Sequence, residues 1–108
     1  MRKFTVSTPY ASYEKCFLCV NKYSVNKHVA LSVWNEEDGP IANITVNLDK
    51  IKTLPANFSA VDTNNAPWAE ALIKRLGIGK PTGKFIGSGF CMYPVYEFDM
   101  ERIAKMCA

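Results

Sequence analysis

The sequence predicts a single α+β domain: a mainly antiparallel sheet of five or six strands, with one main helix over about 66–76 and a short C-terminal helix packed on one face. Three observations predict it. Two alternating runs, "HVALSVW" and "IANITVNL", flank "NEEDGP", whose Asp38-Gly39 is a hairpin signal. "APWAEALIKRL" carries an apolar stripe at helical spacing. Finally, 108 residues, 48% apolar and 21% charged, suffice for one packed core spanning 1–108. A chain of that size buries roughly two-thirds of the surface it exposes when unfolded.

Taken in order, Phe4 to Thr8 alternates as a short strand, and Lys15 to Lys22 reads as a strand buried on both faces. In the hairpin, Val29, Leu31 and Val33 point one way. Ala42, Ile44, Val46 and Leu48 share a face of the second strand, leaving Asn43, Thr45 and Asn47 on a wet outer face. "DKIKTLPA" is either a helical turn broken by Pro55 or an irregular connection. The main helix has Asn64 or Asn65 as its cap, Pro67 in its first turn and Gly77 at its left-handed exit. Trp68, Ala71, Leu72 and Leu76 form its stripe, widened by Ala69 and Ile73. "KFIGSGFCMYPVYEF" supplies one or two more strands, with Gly87 and Gly89 at a bulge or turn and Pro94 arguing for an edge position. Asp99 caps the terminal helix "MERIAKMC".

The N-terminus "MRKFTVST" lacks the apolar h-region of a secretory signal, and no stretch approaches the ~20 apolar residues of a membrane span. The expectation is a cytoplasmic protein that meets no membrane and keeps its four cysteines as free thiols. Cys16 and Cys19 have a metal-like spacing, but a period of two sends their sulfurs to opposite faces, as small hydrophobes rather than ligands.

Other chemical motifs fail on spacing. "GIGKPTGK" puts five residues between Gly77 and Gly83 where a P-loop needs four, and Phe85 follows Lys84 where Ser or Thr is required. Ile86 replaces the first glycine of a nucleophile elbow at "IGSGF". The single histidine, His28, reads as an exposed or half-buried imidazole at a strand start. Asp62, Thr63, Asn64 and Asn65 form the densest polar cluster, which reads as a turn that caps the helix. No catalytic residue, metal ligand, cofactor or small-molecule substrate emerges. Between Ala71 and Tyr96 stand Lys74, Arg75, Lys80 and Lys84 with no anion, which reads either as a surface for nucleic acid or for an acidic protein patch, or as a solvated cationic face.

"VDTNNAPWAEALIKRLGIGKPTG", "SGFCMYPVYEFD" and "VWNEEDGPIANITVNL" together resemble a family of small bacterial proteins of unassigned function carried on phages and conjugative elements. Within that family the chain is similar to an inhibitor of type II-A CRISPR nucleases, an anti-CRISPR. The resemblance brings no active site and implies a binder in the host bacterial cytoplasm, whose partner is the CRISPR effector nuclease or its RNA/DNA complex. A net charge of +3 excludes global DNA mimicry, so the expected grip is on an acidic or apolar protein surface, or on nucleic acid in the complex. The expected contact surface is Asn64, Asn65, Lys80, Lys84, Tyr93 and Tyr96, tyrosine supplying area and lysine steering.

Overall fold

The computed structural model describes residues 1–108 and folds them into two four-stranded antiparallel sheets and two helices, rather than one sheet of five or six strands. The first sheet has the order β1 (Phe4–Ser7), β2 (Ser12–Lys22), β3 (Val29–Asn35), β4 (Gly39–Asn43). The second has the order β5 (Thr45–Val46), β6 (Phe58–Val61), β8 (Cys91–Phe98), β7 (Gly79–Ser88). Helix α1 (Ala69–Leu76) joins β6 to β7, and α2 (Met100–Cys107) ends the chain. No helix is long and apolar enough to cross a membrane.

The predicted hairpin is β3 and β4, and its turn is built by side chains. Asn35 Oδ1 accepts from the Asp38 N–H at 2.7 Å, and Gly39 takes φ 72°, which a residue with a Cβ adopts at a cost. Val29, Leu31 and Val33 all face the core. The second run does not continue as one strand. At Ile44 the chain changes sheets: its N–H donates to Leu31 O of the first sheet at 2.9 Å, and its carbonyl accepts from the Asp62 N–H beside the second at 2.8 Å. Thr45, expected on the wet face, is buried at this corner. Its Oγ1 accepts from the Leu31 N–H at 3.1 Å and lies 2.7 Å from the Tyr23 hydroxyl.

Strand β2 buries one face, not two. Cys16 and Leu18 are buried, while Phe17 and Cys19 on the opposite side are half-covered. The connection at Asp49–Thr53 is a 3-10 turn whose Ile51 is buried. It packs against β6, where Ala60 and its β8 partner Val95 are buried outside the main core. That main core is a cluster of 18 residues. Val6, Leu18, Leu31 and Val33 enter it from the first sheet, Leu72, Ile73 and Leu76 from α1, Ile103 and Met106 from α2, and Val61, Tyr96 and Phe98 from the second sheet.

Helix α1 begins three residues later than the pattern suggests, and neither Asn64 nor Asn65 caps it. Asp62 does the side-chain work: its carboxylate accepts from the Asn65 N–H and Nδ2, closing a polar turn ahead of the helix. Trp68 occupies the cap position without a side-chain bond. Ala69, Leu72, Ile73 and Leu76 are buried, whereas Ala71 is exposed. Gly77 is the left-handed exit, φ 67°, with its N–H on Ile73 O at 3.0 Å. At α2 the expected cap holds, since Asp99 Oδ1 accepts from the Arg102 N–H at 3.0 Å.

Pro94 lies on an inner strand, contrary to the edge placement its missing N–H suggests. The reason is local. Strand β6 pairs with β8 only from Phe58↔Glu97 to Ala60↔Val95, so Pro94 stands just past the end of that pairing and has a partner, Phe85, on the β7 side alone.

Candidate functional site

The β7–β8 hairpin organises the predicted contact residues. "GIGKPTGK", read as a loop, is mostly strand: β7 starts at Gly79 and kinks at a bulge between Pro81 and Phe85. There Gly83 takes φ 80°, and Thr82 Oγ1 donates to Val95 O at 2.8 Å while accepting from the Lys84 N–H at 3.1 Å. Lys80 and Lys84 are exposed, with Lys80 Nζ 3.9 Å from Glu97 Oε1 across the ladder. Such an exposed pair contributes little to stability.

Asn64 and Asn65 are exposed in the turn after β6. The tyrosines are not. Tyr93 is 9% exposed and Tyr96 7%, and three residues apart on one strand they face opposite sides of the sheet. The Tyr96 ring lies 6.3 Å from that of Phe98 inside the main core, and its hydroxyl donates to Glu70 Oε1 on α1 at 3.0 Å. Neither tyrosine offers free area for a partner, and the six predicted residues do not form one surface.

Alternation along β8 places Met92, Pro94, Tyr96 and Phe98 on one face, with Phe85 and Gly87 of β7 opposite them. Helix α1 covers only the start of this face, where Gly79 approaches Ile73 and Phe98 so closely that a Cβ would lie 3.0 Å from Phe98 Cδ1. Pro94 is still buried, but around it the outer end of the same face is bare. Phe85 is 59% and Met92 61% exposed, and Phe90 projects fully from the two-residue turn that Gly89 opens at φ 60°. These three are what sequence reasoning missed. The signal lay in "KFIGSGF", where glycines at 87 and 89 leave two phenylalanines without neighbours to cover them.

Burial and internal bonds occupy several of the reactive side chains. Burial pushes the Cys16, Cys19 and Cys107 thiols above their ordinary range, away from the thiolate that a nucleophile or metal ligand must be. No three His, Cys, Asp or Glu side chains converge as a metal site would require. His28 is buried rather than half-exposed, with Nδ1 2.6 Å from Phe58 O. The one dense polar cluster, around Asp62, is closed on itself by Asn65.

A family described as Domain of unknown function (DUF4313) matches residues 17–108. The chain belongs to this family. No curated protein and no solved structure matches it. The match takes in both sheets except β1 and the start of β2, and includes the whole β7–β8 hairpin. The hairpin is thus part of the DUF4313 body and not an appendage to it.

Burial, reinforced by the bond to Glu70, pushes the Tyr96 hydroxyl up to about 12. Its ordinary value is about 10, so the folded state favours the neutral phenol; that contribution is complete below about pH 10 and is lost as pH rises toward 12. We expect Tyr96→Phe to lose on the order of 2 kcal/mol less stability than the parent between pH 10 and 12, measured by urea unfolding at each pH. Parallel pH profiles would show that folding leaves the Tyr96 hydroxyl unshifted.

Proposed function

We propose that this chain is a non-enzymatic binding protein of a mobile genetic element that inhibits a host type II-A CRISPR effector nuclease, an anti-CRISPR. Two things support the reading. One is the resemblance carried by "VDTNNAPWAEALIKRLGIGKPTG" and "SGFCMYPVYEFD". The other, which carries it physically, is where the chain leaves its side chains: Lys80, Lys84, Phe85, Phe90 and Met92 stand exposed on one hairpin, while the Cys16 thiol, His28 and the Asp62 carboxylate are buried or internally bonded.

In this reading the contact surface is the outer hairpin, approached with Lys84 and the bare end of its face, while Lys80 stands on the opposite face and the Asn64-Asn65 turn is not part of it. Lysine steers the approach and the apolar residues supply the desolvated centre. Tyr93 and Tyr96 act from beneath, holding β8 in place. A type II nuclease, guide RNA and target DNA mixed with the protein in different orders tests it, because the order that abolishes cleavage reports which step is blocked. Lys80→Glu with Lys84→Glu is expected to reduce capture of the nuclease at least tenfold. Undiminished capture rejects this surface.

A second reading, direct binding of nucleic acid as a mobile-element accessory protein, draws on the exposure of Lys74, Lys80 and Lys84. Its signature is retention of labelled DNA or RNA, without any nuclease, that falls steeply as salt rises.

A further inference from the structure

We infer that the free edge of β7, from Phe85 to Ser88, accepts an extended, acidic segment of a partner protein as an additional β-strand. This rests on the docking reading above and names the chemistry of its partner. Strand β7 is outermost in its sheet, with β8 on one side and no strand on the other. The pair Ser88↔Cys91 closes a two-residue turn, so these two residues exchange both ladder bonds. Alternation then turns the N–H and C=O of Gly87 and Phe85 away from β8, and neither residue makes a backbone bond elsewhere.

Edge strands are ordinarily protected by lysine, proline and bulges, and the first half of β7 has all three: Lys80, Pro81 and the kink at Thr82 to Lys84. The second half has none. Instead it sits beside a bare apolar face, where Phe85 and Met92 stand exposed with Gly87 between them and the would-be Cβ of Gly87 only 3.1 Å from the Met92 sulfur. An added strand satisfies the outward backbone groups, and its alternate side chains cover Phe85 and Met92.

Charge selects the occupant. Strand β7 carries two lysines and no carboxylate, so a second copy would bring four cations together without a counter-charge. A strand alternating apolar and acidic residues matches both the bare face and Lys84.

The probe is a capped seven-residue peptide alternating valine and glutamate, added to isotope-labelled protein and followed by amide NMR. The expected result is that the Phe85 and Gly87 amides shift and become protected from hydrogen exchange. Affinity should fall as salt rises, and at least tenfold in the Phe85→Ser, Lys84→Glu double variant. That variant should keep the unperturbed spectrum elsewhere. Equal binding of a valine–lysine peptide, shifts centred on other amides, the same shifts with a DNA oligonucleotide, or sedimentation of the free protein as a dimer that Phe85→Ser dissociates would each overturn it. The two readings separate in the cleavage assay. Full inhibition by the double variant overturns the edge as the contact while docking stands, whereas no inhibition by the parent defeats the nuclease reading and leaves the peptide titration to decide the edge.

Discussion

Truncating Phe98 to alanine is expected to cost about 3–5 kcal/mol of unfolding free energy and to lower the melting temperature by on the order of 15 °C. The side chain is almost fully buried in the main core, at the junction of three elements. Its ring packs beside Tyr96 on β8 and against the bare Cα of Gly79 on β7, with Ile73 of α1 closing the third side. The backbone at Phe98 is fixed independently: its N–H donates to Asn57 O at 2.9 Å, and its carbonyl accepts from Asn57 Nδ2 at 3.2 Å. Because main chain and neighbours are held by their own bonds, the void cannot collapse easily, which places the cost toward the upper part of the range. Phe98→Leu, which keeps most of the volume, should lose much less. Equilibrium denaturation of both variants checks this, and a loss below about 1 kcal/mol for the alanine variant would mean that α1 slides in to fill the space.

Gly79 explains why this packing was hard to foresee. "GIGKPTG" reads as a flexible loop because three glycines and a proline stand within seven residues, yet each has a separate task. Gly77 turns the helix out at positive φ, Gly79 lets α1 and Phe98 close onto β7, and Gly83 forms the bulge. Local signals capture the first of these, since a left-handed exit after an amphipathic stripe is a short-range pattern. Close approach and bulge register depend on which strand lies alongside, and that is absent from the local sequence.

The same division runs through the rest of the molecule. The β3–β4 turn at Asp38-Gly39, the α1 stripe and the Asp99 cap all rest on neighbours within four residues, and all were legible. The change of sheets at Ile44 was not, because Ala42, Ile44, Val46 and Leu48 keep one period whether the strand continues or turns a corner. The candidate surface suffered likewise. Tyr93 and Tyr96 looked like contact residues, since tyrosine serves both interfaces and cores. What decides between those roles is burial that only the assembled fold supplies: Tyr96 enters the main core shared by α1 and both sheets, and Tyr93 is covered on the opposite face of β8. Phe85, Phe90 and Met92 were placed only as strand or turn residues, and their exposure follows from helix α1 ending its cover at the start of the hairpin.

Thr45→Val should destabilise the fold by about 2–4 kcal/mol although it conserves shape and adds apolar surface. Thr45 is 3% exposed and its Oγ1 serves two groups at the corner where the sheets meet, the Leu31 N–H and the Tyr23 hydroxyl. Leu31 lies within β3 at a point where β4 has already turned away, so its outward N–H has no strand to bond and relies on this oxygen. Valine removes the acceptor and leaves a buried main-chain donor without a partner, a penalty of about 1–3 kcal/mol that no gain in methyl packing offsets. Tyr23→Phe removes the second bond while leaving the Leu31 bond intact, so it should cost only about 1 kcal/mol. The double variant then separates the two contributions, and faster hydrogen exchange of the Leu31 amide in Thr45→Val, but not in Tyr23→Phe, is the site-specific readout. Should both single variants lose equally, the tyrosine contact, and not the orphaned N–H, would be what joins the two sheets.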